Sequence, residues 1–383
     1  MSGTHRFGIV AGEKSGDILG GSLMTAMKSY FPNAEFVGVG GSEMISIGCE
    51  SLCSIERLSV MGFIEPLRRL PELLFLKKKL QERFARERIS AFIGIDSPDF
   101  NLRLAKNLRG KGLKTVHFVS PSVWAYRQGR VIDIKESIDL MLTLFPFEQE
   151  IYKKYHIQSE CVGHPLADRL SLEGRGLSDR KSLDIPESET VIALMPGSRV
   201  DEVNRLGPIF LETAVESLQR YPHLKFLIPF SNSETQLLIN SLMERMHILQ
   251  GEQFRVINDS QKALGASNFV FTASGTATLE ALFLRKPMVI CYKLASISYF
   301  IASRMLKIPY IGLPNLLAND QIVPEYLQSA VTPEALLAEL DKFMTGSNSF
   351  SNVLSKYEKI HKELRGGAAK KAAHAIHKLV FQS

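Results

Sequence analysis

Residues 191–202 read VIALMPGSRVDE: five apolar residues, a turn at Pro196-Gly197-Ser198, then Arg199 and the polar opening of a long segment with helical period. An apolar run of that length, bounded by Pro and Gly, reads as a strand buried on both faces, and the turn as the entry to a helix. The same shape recurs at 7–17 (FGIVAGEKSGD), 91–101 (AFIGIDSPDFN) and 269–280 (FVFTASGTATLE). Working outward, strands are expected at 7–11, 36–39, 91–95, 115–119, 140–144 and 160–162, and again at 191–195, 225–228, 254–257, 269–272 and 288–291, with helices between. Such alternation is the mark of βαβ units and parallel sheets. Residues 163–189 break the rhythm with Gly174, Gly176, Pro186 and mixed charges. The chain is therefore expected to be α/β, with two doubly wound domains at 1–165 and 166–350, and a C-terminal segment, 351–383, of two helices broken at Gly366-Gly367.

The chain has 383 residues, 45% of them hydrophobic and 22% charged, which suits two globular domains and excludes a disordered or fibrous protein. Its four cysteines, Cys49, Cys53, Cys161 and Cys291, are too sparse for a disulfide framework and have no metal-type spacing, so all four are expected to be buried thiols in a reducing cytoplasm. The opening MSGTHRFGIVAG has no basic-then-apolar export pattern, and no segment has the roughly 20 apolar residues that a spanning helix needs. Net charge of +6 favours anionic partners: nucleic acid, phosphorylated small molecules or an anionic membrane. No RRM, KH or helix-turn-helix pattern is present, which argues against nucleic acid.

In open α/β sheets ligands bind beyond the carboxyl ends of the strands, so the strand-to-helix junctions are the candidate sites. At the first, Gly12, Glu13, Lys14, Ser15, Gly16 and Asp17 match neither a P-loop nor a dinucleotide fingerprint; the glycines serve either a ligand or only a tight turn, and Ser15 or Asp17 suits the helix cap. At the second, Asp96 ends an apolar strand and points to a general base or a helix cap, with Asp99 a second cap. At the third, Gly197, Ser198 and Arg199 read either as an anion cradle with a guanidinium, or as a turn whose Arg pairs with Asp201 or Glu202. At the fourth, Ser274, Gly275 and Thr276 clear room for a ligand and Glu280 lies one turn in, where it suits a ribose diol; a well-capped helix is the alternative. Two such junctions in one domain suggest a nucleotide.

Away from the junctions, residues 58–88 combine Val60, Met61, Phe63, Leu74, Phe75 and Leu76 with Lys77, Lys78 and Lys79, which reads as an acyl-chain or membrane surface, or as a core helix with a basic tail. A second apolar segment, 297–311, reads equally as internal packing. Trp124 and Arg127, after another strand, suit a phosphorylated sugar or single-stranded nucleic acid. His117 and His164 lack metal spacing and read as interior or loop histidines, and no metal-ligand cluster appears.

With these residues in view the chain resembles the lipid-A-disaccharide synthases, bacterial inverting glycosyltransferases of family 19. The resemblance rests on VAGEKSGDILG at 10–20, VMGFIE at 60–65, GIDSPDFN at 94–101, SPSVWAYRQGR at 120–130, LFPFE at 144–148, VGHPLAD at 162–168, MPGSR at 195–199, ASGTATLE at 273–280 and LPNLLA at 313–318. It implies a GT-B fold, two Rossmann-like domains facing a cleft, with the C-terminal helices crossing back to the first domain or to a dimer partner. The implied reaction moves diacylglucosamine from UDP-2,3-diacylglucosamine to 2,3-diacylglucosamine 1-phosphate, giving the β-1,6 disaccharide of lipid A and UDP. By the same resemblance Arg199 meets phosphate, Glu280 ribose and Asn315 the nucleotide side, Asp96 is the base, and Gly12, Glu13, Ser15 and Gly16 line the acceptor side. The implied enzyme needs no metal, works at the cytoplasmic face of the inner membrane as a peripheral protein, and tends to dimerise through its C-terminal region. Other GT-B enzymes, such as the lipid II glycosyltransferase or a UDP-sugar 2-epimerase, and a non-catalytic UDP-sugar-binding membrane sensor are the alternatives. Lys14 stands where the family has a small residue, and Asn319-Asp320 where it more often has Gly and a basic residue.

Overall fold

A computed structural model describes residues 4–58, 65–125, 128–172, 176–295, 308–346 and 350–381. The chain divides into two units, Met1–Asp168 with Leu364–Ser383, and Arg169–Glu363. The boundary thus falls slightly beyond the 165/166 expected, and the helix Phe350–Leu364 belongs to the second unit up to Glu363.

In the first unit, strands β1 (Arg6–Ala11), β2 (Glu35–Val39), β3 (Cys49–Ser51), β4 (Ala91–Ile95), β5 (Thr115–Phe118), β6 (Leu140–Thr143) and β7 (Ser159–Cys161) form one sheet in the order β3-β2-β1-β4-β5-β6-β7. Every pairing is parallel. All five residues of β4 and the last five of β1 are buried, because crossover helices cover both faces of such a sheet. The chain runs outward from β1 to β3 and returns to β4, so the strand order reverses between β1 and β4. The helix Lys14–Met27 buries Leu23, Met24 and Met27, and the last helix, Ala368–Phe381, packs on it and buries Ala372, Ala373 and Ile376. That last helix is anchored by Asp168, whose carboxylate accepts the N–H groups of Gly366 (2.9 Å), Gly367 (2.8 Å) and Ala368 (2.7 Å). These are helix-start donors with no partner inside the helix.

In the second unit, β8 (Val191–Met195), β9 (Lys225–Pro229), β10 (Phe254–Ile257), β11 (Phe269–Ala273), β12 (Met288–Tyr292) and β13 (Glu325–Leu327) form a parallel sheet in the order β10-β9-β8-β11-β12-β13. Alternate residues serve opposite faces. Ile192, Leu194, Phe226 and Ile228 join Phe210, Leu242 and Leu336 in one core layer, while Val191 and Leu227 meet Ala263 and Ala266 on the other side. Here the order reverses between β8 and β11.

Every strand expected from sequence is present to within one residue at either end. β3 and β13 were not expected: each has three residues and sits at a sheet edge, too short for a periodic signal. Of the cysteines, Cys49 and Cys291 are buried, whereas Cys53 and Cys161 are only half-buried, and all four are free thiols.

Candidate functional site

Both reversal points fall at the junctions singled out from sequence. The crevice at such a point opens because the two connections leave the sheet in opposite directions. In the second unit, the turns after β8 and β11 line a cavity of about 620 Å³, within the usual range for small-molecule sites. Gly197, Ser198, Arg199, Ser274, Gly275, Thr276 and Glu280 all line it. Gly197 has φ +129°, and a Cβ there would lie 2.4 Å from Glu202, so only glycine allows this turn. The turn opens the helix Val200–Arg220, whose first N–H groups and dipole favour an anion. Those donors already hold one: Glu202 accepts the N–H of Ser198 (2.9 Å) and of Arg199 (3.3 Å) and sits 3.8 Å from the Arg199 guanidinium. The two readings of this junction are thus both present, a cradle for an anion and an arginine paired to Glu202. The side chain of Arg199 is 78% exposed and free to turn toward a ligand.

Glu280 projects into the same cavity, where burial raises its pKa and a 3.4 Å hydrogen bond from Gln261 partly opposes the rise. Asn315, expected as a nucleotide-side contact, is fully buried and does not line the cavity. Its amide donates to Val323 O (2.9 Å) and Glu325 (2.7 Å), and its oxygen accepts the N–H groups of Ile322 (2.8 Å) and Val323 (2.9 Å). Glu325 in turn accepts the N–H groups of Ile311 and Gly312, and Ile311 O accepts the Ser274 hydroxyl (3.3 Å), a chain of bonds that links Asn315 to the cavity wall. Asn319 ends its helix with φ +49°, the conformation for which glycine is preferred and Asn tolerated, and Asp320 pairs with Lys356 at 2.7 Å. Phe230, Ser231 and Asn258, which sequence reading missed, also line the cavity; each follows the carboxyl end of β9 or β10, the signal that finds them. A roomier groove of about 1090 Å³ lies against the starts of β9 and β10, at Lys225 and Phe254, the end of a parallel sheet where ligands do not collect.

In the first unit the turns after β1 and β4 abut. A Cβ at Gly12 would lie 1.8 Å from the Ser97 hydroxyl, so glycine is required for the two to approach. Gly12 and Gly16 are buried, while Glu13, Lys14 and Ser15 are exposed. The expected cap at Ser15 or Asp17 is absent: Glu13 takes the cap position, and Asp17 instead accepts N–H groups of Gly41, Glu43 and Met44 at the next helix, Ser42–Ser46. Asp96 (φ +52°) and Ser97 (φ +42°) are consecutive left-handed residues, a costly backbone for side chains bearing Cβ and one that collects at functional sites. Burial raises the pKa of Asp96, and the Ser97 N–H opposes it in part. Asp99 does not cap; it pairs with Arg130 at 2.7 Å.

Trp124 is half-buried, edge-on to Phe147 at 4.8 Å. Nearby, burial pushes the pKa of Glu148 up to about 7, against the N–H groups of Phe145 and Leu144, which its carboxylate accepts at 3.0 Å each. His117 is wholly buried, and burial lowers its pKa to about 3; burial likewise lowers His164 to about 4. In the helix Glu65–Arg86, Leu74 is 48% and Phe75 71% exposed with Lys78 and Lys79 exposed beside them, but Leu76, expected on the same surface, is buried in the core and Lys77 is half-buried. Val60, Met61, Phe63, Arg127 and residues 297–307 lie outside the described residues. Among the described residues no helix is long and apolar enough to cross a membrane, and no group of three or more His, Cys, Asp or Glu is placed to hold a metal ion.

The family model for lipid-A-disaccharide synthetase matches residues 7–379. A lipid-A-disaccharide synthase from Cellvibrio japonicus is 45% identical over 99% of this chain and 98% of its own, and one from Pseudomonas aeruginosa (strain UCBPP-PA14) is 44% identical over 99% of each. Among solved structures, a UDP-GlcNAc 2-epimerase from Neisseria meningitidis bound to UDP-GlcNAc superposes with a TM-score of 0.63 at 11% identity, covering 100% of both chains. MurG from Acinetobacter baumannii does so with a TM-score of 0.55 at 14% identity, over 98% of this chain and 100% of its own. The fold of two doubly wound parallel-sheet units is that of the GT-B class.

Proposed function

The chain belongs to the lipid-A-disaccharide synthetase family, and on that premise we infer that it is the glycosyltransferase that forms the lipid A disaccharide, using a UDP-sugar as donor. Diacylglucosamine passes from UDP-2,3-diacylglucosamine to the 6-hydroxyl of 2,3-diacylglucosamine 1-phosphate. The observation that carries the reading is the cavity at the β8/β11 reversal, where an anion cradle at Gly197–Arg199 and the carboxylate of Glu280 line one space. Ser198 and Arg199 hold the diphosphate, with Ser274, Gly275 and Thr276 closing on it, and Glu280 takes the ribose hydroxyls.

We assign Asp96 as the base. The acceptor oxygen attacks the anomeric carbon, its proton passes to the Asp96 carboxylate, the bond from that carbon to the diphosphate oxygen breaks, and UDP leaves with the electron pair, inverting the centre. Partial burial makes Asp96 a stronger base than a solvated aspartate. Negative charge grows on the departing diphosphate, where fixed N–H donors, the Arg199 guanidinium and the dipole of the helix Val200–Arg220 stabilise it. These groups fill the role of a divalent ion, so the proposed turnover is metal-independent. Gly12, Glu13, Ser15, Gly16 and Trp124 serve the acceptor side. The exposed pair Leu74 and Phe75, beside Lys77, Lys78 and Lys79, is proposed to seat the enzyme on the anionic inner membrane from which both lipid substrates come. Self-association through the C-terminal helix, where Phe381 is exposed, completes the proposal.

The test is UDP release from UDP-2,3-diacylglucosamine with and without the monophosphorylated acceptor, in wild type and Asp96→Asn. Acceptor-dependent release that the variant loses while still binding UDP is expected. Equal rates remove Asp96 from the chemistry, and no release by folded wild type returns the chain to the binding-protein class.

A further inference from the structure

Asn101 lies one turn into the helix Pro98–Arg109 and is fully buried. Its amide nitrogen faces three backbone carbonyls: Val10 O at 3.2 Å, at the end of β1; Ile95 O at 3.3 Å, at the end of β4; and Asp96 O at 2.8 Å. The third is the shortest, and Asp96 O is the carbonyl that leads into Ser97, between the two left-handed residues of the turn. Backbone bonds also hold that turn. Asp96 N donates to Phe118 O at 2.9 Å, and the N–H groups of Phe100 and Asn101 go to Ser97 O at 3.1 and 3.0 Å. Gly94 keeps the amide in place, since a Cβ there would meet the Asn101 side chain at 2.8 Å. A single side chain thus ties the carboxyl ends of both strands at the reversal point to the strained residue that carries the carboxylate.

We propose that Asn101 is a positioning residue for the glycosyl transfer: its amide clamps the Asp96 carbonyl to the ends of β1 and β4, holding the left-handed turn that aims the Asp96 carboxylate. The role rests on the reading of Asp96 as base. A turn with two left-handed residues relaxes unless its surroundings hold it, and a misplacement of about 1 Å in a reacting group is enough to cost on the order of 100-fold in rate.

The experiment compares steady-state transfer by wild type, Asn101→Leu, Asn101→Asp and Asp96→Asn, with circular dichroism and UDP affinity as checks on folding. Asn101→Leu keeps the volume and removes the donor; kcat is expected to fall by about 10–100-fold with KM for the UDP-sugar within about twofold. In Asn101→Asp the introduced acid, buried among carbonyls, stays protonated and donates one hydrogen bond, so kcat is expected to recover to within about fivefold of wild type. A folded Asn101→Leu enzyme with wild-type kcat overturns the role, as does a loss in which KM rises and kcat holds, or an Asn101→Asp variant no better than Asn101→Leu. If Asp96→Asn itself turns over at the wild-type rate, the base reading falls and takes this one with it. If Asp96→Asn is slow and Asn101→Leu is not, only the positioning role falls.

Discussion

Replacing Asp168 by Ala is expected to loosen the last helix, Ala368–Phe381, and to do so only where the carboxylate is ionised. Asp168 accepts three N–H groups at 2.7–2.9 Å from the start of that helix. Loss of a helix cap costs about 1 kcal/mol and up to about 2; the third donor and the negative charge at a helix N-terminus add roughly 0.5–1 kcal/mol. The sum, about 1.5–3 kcal/mol, corresponds to a roughly 10–150-fold rise in the opening equilibrium. Burial pushes the carboxyl up, but the N–H groups of Gly367, Gly366 and Ala368, with Arg365, outweigh it and hold the pKa below the ordinary value. A group whose folded pKa is depressed stabilises at pH above its unfolded value, near 3.9, and that contribution is lost as pH falls through the folded pKa. Hydrogen exchange of the helix amides is the assay. Protection should drop about 10–150-fold in Asp168→Ala at pH 6–7, by the worked free energy, and the difference should begin to shrink at about pH 4 and close as pH falls through the depressed folded pKa. Equal protection in the two proteins near neutrality refutes the argument.

Glu202→Gln removes the carboxylate that occupies the Ser198 and Arg199 amides. Relief of repulsion with a diphosphate about 5 Å away is worth roughly 1–2 kcal/mol, so calorimetry should give about 5–30-fold tighter UDP binding; unchanged or weaker binding means the diphosphate does not use these donors. Because burial raises the pKa of Asp96, activity should climb with pH through an acid limb above the ordinary aspartate value, and Asp96→Asn should abolish that limb along with about 10²–10⁴-fold of kcat. Turnover is expected to survive exhaustive chelation; a loss that Mg²⁺ restores contradicts the charge-stabilisation scheme. Leu74→Glu with Phe75→Glu should lower sedimentation with anionic vesicles while leaving the fold intact, since both side chains already face solvent; unchanged binding moves the membrane surface elsewhere.

The local sequence determined the strands and the junctions. Unbroken apolar runs such as 91–95 and 191–195, each bounded by turn residues, were legible as buried strands leading into helices, and the same reading put Gly197–Arg199 and Glu280 at junctions that line one cavity. The three-residue edge strands β3 and β13 were not, because nothing so short carries a period. Tertiary structure decided everything that depends on which junctions meet. It placed Gly12 against Ser97, made Asn315 an internal brace, and split the run 74–76 so that Leu76 enters the core while Leu74 and Phe75 face out. It also gave Asp168 to the last helix and Asn101 to the ends of two strands. A hydrogen bond joining residues 91 or 198 positions apart has no local signature, because the free energy that fixes it comes from packing the sheet and its helices together.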